Sequence, residues 1–378
     1  MKQQLERVEI PGEEDAQARA WAVVGSAFEE RVPAPRPSHW PRVAAIAIAL
    51  AAVLASAFSP PGQAVIDEIR EVVGVERAER ALFSLPADGR LLVASDTGIW
   101  VVQPDGSRRL LGDYPEASWS PFGRFVVAAR RDELAALEPD GDVRWTLPRP
   151  GARSPRWAGT ETDTRIAYVD RTGIRVVAGD GTGDRLLVRG GSGPIAWRPG
   201  IARELALASA RELRVIDVES GRTLWRSRLL GPRPTSLSWS ADGSRLLVSS
   251  PAGVRVYAAR GALPFELGPG ASAVRAAALA PNGRSVAYAQ ETDTGSQLWI
   301  VPRIRPDGSA ARRLFAGAGA FDSLAWSPDG RWLLVSWPAA DQWLFIRANG
   351  RGVRAVSNIS EQFRSGSFPR VVGWCCAP

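Results

Sequence analysis

The chain has 378 residues, 45% hydrophobic and 23% charged, enough for one large or two medium globular domains. Two adjacent cysteines, Cys375 and Cys376, and a single histidine, His39, exclude a disulfide framework and a zinc site built from separated Cys and His ligands. The net charge is +7 and Lys2 is the only lysine. The arginines that carry this charge are spread through the sequence, without the clustered basic motif of a nucleic-acid binder.

In chain order, residues 1–42 form an arm. Within it the pattern predicts an amphipathic helix over 13–32. Pro11-Gly12 breaks the chain before it, Glu13, Glu14 and Asp15 suit the positive end of a helix dipole, and Pro33 stops it. Trp21, Val24, Phe28 and Val32 fall on one stripe. A lone helix of this length is marginal in water, so the Trp21/Val24/Phe28 face expects a surface, either the bilayer or a cytoplasmic partner. The face opposite is acidic, which disfavours anionic lipid. The linker RVPAPRPSHWPR that follows is proline-rich and extended.

Residues 43–59, VAAIAIALAAVLASAFS, carry no charge. At ~1.5 Å per residue they span roughly 25 Å against a ~30 Å hydrocarbon core, and Trp40 and Pro60-Pro61 extend the span, giving a predicted transmembrane helix over 43–61. The competing assignment is a signal peptide cut after Ala57, at the A-x-A of Ala55-Ser56-Ala57. A leader of 42 residues is long for that and favours an anchor. Arg31, Arg36 and Arg42 precede the span, whereas mixed charge follows it. This places the N-terminus in the cytoplasm and everything beyond about residue 60 outside the cytoplasmic membrane. Residues 62–80, containing AVIDEIREVVG, are expected to form a helical stalk.

From 81 to 378 the sequence repeats. A Trp-turn-strand unit recurs as SWSPFGRFVVAA (118–129), SWSADGSRLLVSS (238–250) and AWSPDGRWLLVSW (325–337), among others. The anchors are Ser84, Trp119, Trp157, Trp197, Trp239, Leu279, Trp326 and Trp374, spaced 35 to 48 residues apart. A second ladder of apolar strands ending in glycine turns runs in step, as in IWVVQPDG (99–106) and WLFIRANG (343–350). Four short strands in about 40 residues are the signature of a propeller blade. Seven sets of the outer three strands predict an all-β, seven-bladed β-propeller, with six or eight blades as the alternatives. Either VVGW (371–374) or the Leu82-Phe83 segment supplies the innermost strand of the blade built from 85–112. The Trp anchors Trp119, Trp157, Trp197, Trp239, Trp326 and Trp374 are assigned to packing between blades, each indole N–H reaching a loop carbonyl. In the turn, Pro presets φ, Asp bonds backbone N–H groups and Gly takes positive φ.

The W-S-P-D-G turn at 326–330, with its variants at 239–243 and 280–283, resembles the PD-type, WD-like repeats of TolB-like β-propellers. The resemblance covers residues 80–376. It implies the propeller fold; together with the span at 43–59 and the lack of catalytic residues, the expectation is a non-enzymatic, envelope-anchored propeller that recognises a protein or peptide. TolB itself is soluble and periplasmic with a separate N-terminal domain, and this sequence departs from it in both respects. A short cytoplasmic arm, one span and an outer domain also look like the layout of membrane-anchored TolB-like proteins of actinobacteria and of transmembrane anti-sigma factors. That layout raises a sensor or regulator that links the propeller to a cytoplasmic partner. A static envelope scaffold or Tol-type interaction protein is the alternative, and a hydrolase ranks last.

No catalytic, metal or cofactor residues are assigned. His39 lies in the predicted cytoplasmic linker, away from any propeller serine that would need a general base. GDGTGD (179–184) lacks the ligand spacing of a calcium loop, and the Gly-rich pieces precede strands, not helices. Cys375 and Cys376 have three options: a vicinal bridge, pairing with another molecule, or burial as thiols. The loops between second and third strands, on one face of the ring, carry Arg131, Asp170, Arg171, Arg211, Glu291 and Asp341. These are the candidate ligand face, and NISEQFRSGSFPR (358–370) is a candidate rim loop.

Overall fold

The computed structural model describes residues 75–79, 84–263, 265–267, 273–305 and 310–376. The predicted helices at 13–32 and 43–61, with Trp21, Val24 and Phe28, lie outside these residues. Among the described residues no helix is long and apolar enough to cross a membrane.

Seven sheets form the blades, each an antiparallel run of four strands. The innermost strands are Arg370–Cys375 (blade 1), Glu116–Trp119 (blade 2), Arg153–Gly159 (blade 3), Ile195–Trp197 (blade 4), Ser236–Trp239 (blade 5), Val274–Leu279 (blade 6) and Ser323–Trp326 (blade 7). Each touches the next, and Arg370–Cys375 touches Glu116–Trp119, so the ring closes. The predicted blade count holds.

The period-two alternation of each strand builds the core. In Arg90–Ser95 of blade 1, Leu91 and Val93 pack toward blade 7 with Trp332, Leu334 and Phe345. Their neighbours Leu92 and Ala94 pack toward blade 2 with Trp119, Val126 and Ala128. Both faces of each sheet are thus buried against a neighbour, which is why the strands are nearly continuous apolar runs.

Of the two closure schemes, the C-terminal one is realised. Arg370–Cys375 pairs with Arg90–Ser95, placing Trp374 opposite Leu91. The first and last parts of the propeller sequence thereby share one sheet, and no inner edge of that blade is left to template aggregation. The segment 358–370 is not a free rim loop. It contains one helical turn, Ile359–Gln362, and buries Phe363 between Trp100 and Trp343, with ring centroids 5.7 and 5.3 Å away. Asp96 of blade 1 accepts hydrogen bonds from the Ser367 N–H and hydroxyl, at 2.8 and 2.6 Å. The segment is a strap that fastens blade 7 to blade 1.

Residues Val75–Glu79 form a strand parallel to Val353–Ser357, a fifth strand on the outside of blade 7. This corrects the helical stalk expected over 62–80 for those five residues, and the rest of that stalk lies outside the described residues. A free outer sheet edge offers unpaired N–H and C=O groups, which a neighbouring extended segment satisfies better than an isolated short helix satisfies itself.

The repeated turn behaves as its residues require. In blade 7, the Ser327 hydroxyl donates to Asp329, Asp329 accepts from the Arg331 N–H at 3.0 Å, and Gly330 has φ +69°. Blade 5 repeats this with Ser240, Asp242, Ser244 and Gly243. Blade 2 carries Phe122 at the Asp position, and this exposed residue is forced to φ +64°, a conformation costly for a bulky side chain.

Candidate functional site

The Trp anchors and the residues before them define the inner wall. Each anchor lies opposite the second strand of its blade: Trp119 opposite Val126, Trp157 opposite Ile166, Trp326 opposite Leu333. The indole N–H of Trp197 donates to the Arg156 carbonyl at 2.9 Å, that of Trp239 to Ala196 at 3.2 Å, and that of Trp326 to Ala278 at 3.0 Å. In these three the acceptor is the residue just before the previous blade's anchor, in a strand and not in a loop, whereas the buried indole N–H groups of Trp119, Trp157 and Trp374 have no partner among the described residues, so the expected bond is not made at every anchor. At five blades this position borders the central cavity, as Gly373, Ser118, Arg156, Ala196 and Ser238. That position is Gly373, Ser118, Arg156, Ala196, Ser238, Ala278 and Ala325 in blades 1 to 7. Six are small and one is arginine.

The channel holds a cavity of about 540 Å3 whose polar lining includes Glu116, Ser118, Ser154, Arg156, Ser238 and Arg370. Arg370, Glu116 and Arg153 take equivalent positions in blades 1, 2 and 3, opposite Ala94, Ala129 and Val169. A register shift in the inner pairing of blade 1 and of blade 3 brings Arg370 and Arg153 there. The carboxylate of Glu116 accepts a short hydrogen bond from the backbone N–H of Ser154, which sits at φ +51°. Arg156 is half-buried; burial depresses its pKa, the Glu116 charge opposes that, and the Arg370 charge adds to it.

In an antiparallel blade the second-to-third-strand loops and the starts of the innermost strands lie at the same end. All six predicted face residues are therefore on the end where Arg370 and Glu116 open the channel. They do not form one cluster. Gly151, between blades 2 and 3, donates its N–H to the Arg131 carbonyl at 2.6 Å, and a side chain added there would meet that of Arg171. Arg131, Arg171 and Arg211 are exposed, and among the described residues no carboxylate pairs with their guanidiniums. The three acidic members are committed locally. Asp170 accepts from the Thr172 N–H, the Thr172 hydroxyl and the Gly173 N–H at 2.7, 2.6 and 3.0 Å. Burial pushes its pKa up, but those bonds win and hold it below the ordinary value. Glu291 pairs with Arg275 at 2.6 Å, and Asp341 accepts from the Ser360 N–H and hydroxyl at 2.9 and 2.8 Å, holding the strap. Of these six residues, the ones left available are the arginines, in blades 2 to 4.

GDGTGD separates into two roles. Asp180 holds its own turn by accepting from the Thr182 N–H at 3.0 Å and its hydroxyl at 2.7 Å. Asp184, its side chain 5% exposed, is clamped by Arg149 and Arg175 and by the Tyr168 hydroxyl at 2.6 Å. Burial raises the Asp184 pKa, but the bonds from Arg175, Tyr168 and Arg149 outweigh it and hold the carboxyl below its usual range. Arg149 lies beyond the last strand of blade 2, so the cluster ties blades 2 and 3 together. Cys375 and Cys376 are joined as a vicinal disulfide; Cys375 packs on the core between blades 1 and 2.

Sequence reasoning missed Arg156 and Arg370. The signal for Arg156 was present, since it precedes the anchor Trp157 where every other blade has Gly, Ser or Ala. Arg370 stands four residues before Trp374, whereas Glu116 stands three before Trp119. Only the register shift aligns them.

No protein-family model matches the sequence, and no curated protein matches it. Among solved structures it is similar to the β-propeller domain of Cps50 (Swd1) of Myceliophteria thermophila, with 14% identity and TM-score 0.55 over 69% of this chain and 94% of that one. It is also similar to a chain of a mitotic checkpoint complex, with 16% identity and TM-score 0.53 over 81% of this chain and 94% of that one. A third similarity is to Kuenenia stuttgartiensis hydrazine synthase, with 15% identity and TM-score 0.51 over 62% and 76%. The fold is thus a seven-bladed propeller with WD40-type neighbours.

Proposed function

We propose that this protein is a non-enzymatic recognition propeller that engages an acidic protein or peptide on the face bearing the second-to-third-strand loops. The observation that carries this is the set of exposed, unpaired guanidiniums of Arg131, Arg171 and Arg211 beside a channel mouth that carries Arg370. Available guanidiniums draw partners that carry carboxylates and disfavour like-charged ones. Two neighbours, from a checkpoint complex and a Swd1 protein, are propellers in multi-protein or domain contexts and are compatible with an interaction role.

The TolB-like repeats and the uncharged run at 43–59 favour a place in the cell envelope. There the protein is a single-pass protein of the cytoplasmic membrane with its N-terminus in the cytoplasm and the propeller outside. The stripe of Trp21, Val24 and Phe28 is then the face for a cytoplasmic partner, and the protein is a sensor or regulator of the TolB-like anchored type.

Photo-cross-linkers placed in the full-length protein at Arg131, Arg171 and Arg211 test the first part, with Arg284 and Arg331 as controls in turns of the opposite face. Adducts confined to the first set are expected; equal yield from both faces, or none, overturns the assignment. Cross-linkers in the arm test the relay. A specific cytoplasmic adduct that disappears in Trp21→Ala/Phe28→Ala supports it, and capture of lipid alone removes it.

A further inference from the structure

The channel contains one side chain that the repeat does not call for. At the position before the anchor, six blades carry Gly, Ser or Ala, and blade 3 carries Arg156, which lines the cavity. A long cation in the bore costs side-chain entropy and desolvation. Glu116 offsets part of these costs through its charge, but among the described residues no carboxylate forms an ion pair with Arg156. The hydrogen bond its guanidinium makes among the described residues is 2.8 Å to the Pro155 carbonyl, and a guanidinium offers five donors.

A second guanidinium, that of Arg370, enters from blade 1 and borders the same cavity. It is exposed, and it is close enough that its charge disfavours the charged state of Arg156. The one carboxylate in the lining, Glu116, spends a hydrogen bond on the Ser154 N–H. Two cations against one anion leave a surplus of one positive charge. The cavity, about 540 Å3, lies in the range of small-ligand pockets. The hydroxyls of Ser118, Ser154 and Ser238 add neutral donors to the wall.

Deepening the recognition role proposed above, we infer that this cavity is a carboxylate-binding site, in which Arg156 and Arg370 hold one carboxylate of a peptide or protein partner. A single negative charge balances the surplus of one, whereas a dianionic phosphate leaves the site negative. Guanidinium forks suit the two oxygens of a carboxylate, and charge-assisted bonds are about twice as strong as neutral ones. The carboxylate has two possible sources, an acidic side chain or the C-terminus of a peptide.

The test is calorimetric titration of the full-length protein in detergent with three acetylated tripeptides. One has a free C-terminal carboxylate and no acidic side chain, one is amidated with a central glutamate, and one is amidated and neutral. The expected result is that at least one charged peptide binds about ten-fold or more tightly than the neutral one, and the better of the two names the source. Arg370→Ala and Arg156→Ser should each weaken that binding about ten-fold, and Arg156→Lys should recover part of it. Arg156→Ser installs the residue that blades 2 and 5 already carry, and Arg370 is exposed, so both variants should fold. Equal binding of all three peptides, no binding of either charged peptide to folded protein, or binding indifferent to both substitutions overturns the site. Cross-links at Arg131, Arg171 and Arg211 that persist in that event leave the recognition role standing without it.

Discussion

Blade 7 and blade 3 share one strand order but differ in what their innermost strands carry. Blade 7 reads Ser-Leu-Ala-Trp over 323–326, with a small residue before an anchor whose indole is bonded to Ala278. Blade 3 reads Arg-Ser-Pro-Arg-Trp over 153–157, placing a positive-φ serine and a guanidinium at the bore. Blade 3 also carries the ionic cluster on Asp184 that ties it to blade 2. Residues that recur in every blade serve the ring, because a residue that packs all the blades cannot mark one place on them. Residues that break the repeat at a channel-facing position are where a unique site can be built.

The largest effect should come from an anchor. Trp326 is 7% exposed and packs between blades 6 and 7. Trp326→Ala should cost about 3–5 kcal/mol, measured by denaturant unfolding. A cost below ~1 kcal/mol would mean that the anchors are not the scaffold.

Next is the cluster that distinguishes blade 3. Asp184→Asn leaves Arg149 and Arg175 without their carboxylate and should cost about 3 kcal/mol at neutral pH. Folding lowers the Asp184 pKa, so its contribution is full above the unfolded carboxylate value of about 4 and fades as the pH falls through the lower folded value. Stability measured from pH 7 to pH 3 should therefore show a constant gap between wild type and Asp184→Asn down to about pH 4, and a narrowing gap below it. A gap that does not narrow there would show that the loss is one of packing, not of charge.

The smallest effect is in blade 2. Phe122→Asp restores the residue found at this turn position in blades 5 and 7 and relieves a positive-φ aromatic. It should raise stability by roughly 0.5–1 kcal/mol. No change, or a loss, would show that Phe122 has a contact of its own.

The fold was legible because its determinants are local and repeated. An anchor every 35 to 48 residues, a Pro-Asp-Gly turn and an alternating strand are each readable in one blade and confirmed by the next. The closure was ambiguous because both ends of the propeller sequence offered short apolar segments. The pairing of Trp374 with Leu91 depends on a contact between residues far apart in sequence. The strap was mistaken for a rim loop because its polar composition hides Ile359 and Phe363, both fully buried. For the six candidate face residues, sequence position gave their shared end of the ring but not the state of each charge. Glu291 and Asp341 are spent on partners that only folding brings near, and Asp170 is spent on its own turn. Arg156 could have been found by comparing the column before the anchors, and Arg370 could not, since a register shift displaces it by one residue.

The central claim is that ring and site are separable at the level of single residues in one strand. Its most direct test is Arg156→Ser, with unfolding and carboxylate-peptide affinity measured on the same sample. The account predicts stability within about 1 kcal/mol of wild type, as for a surface-like change that installs a residue other blades already hold, together with an affinity loss of about ten-fold or more. An unfolded or strongly destabilised variant, or a stable one that binds as wild type does, would contradict it.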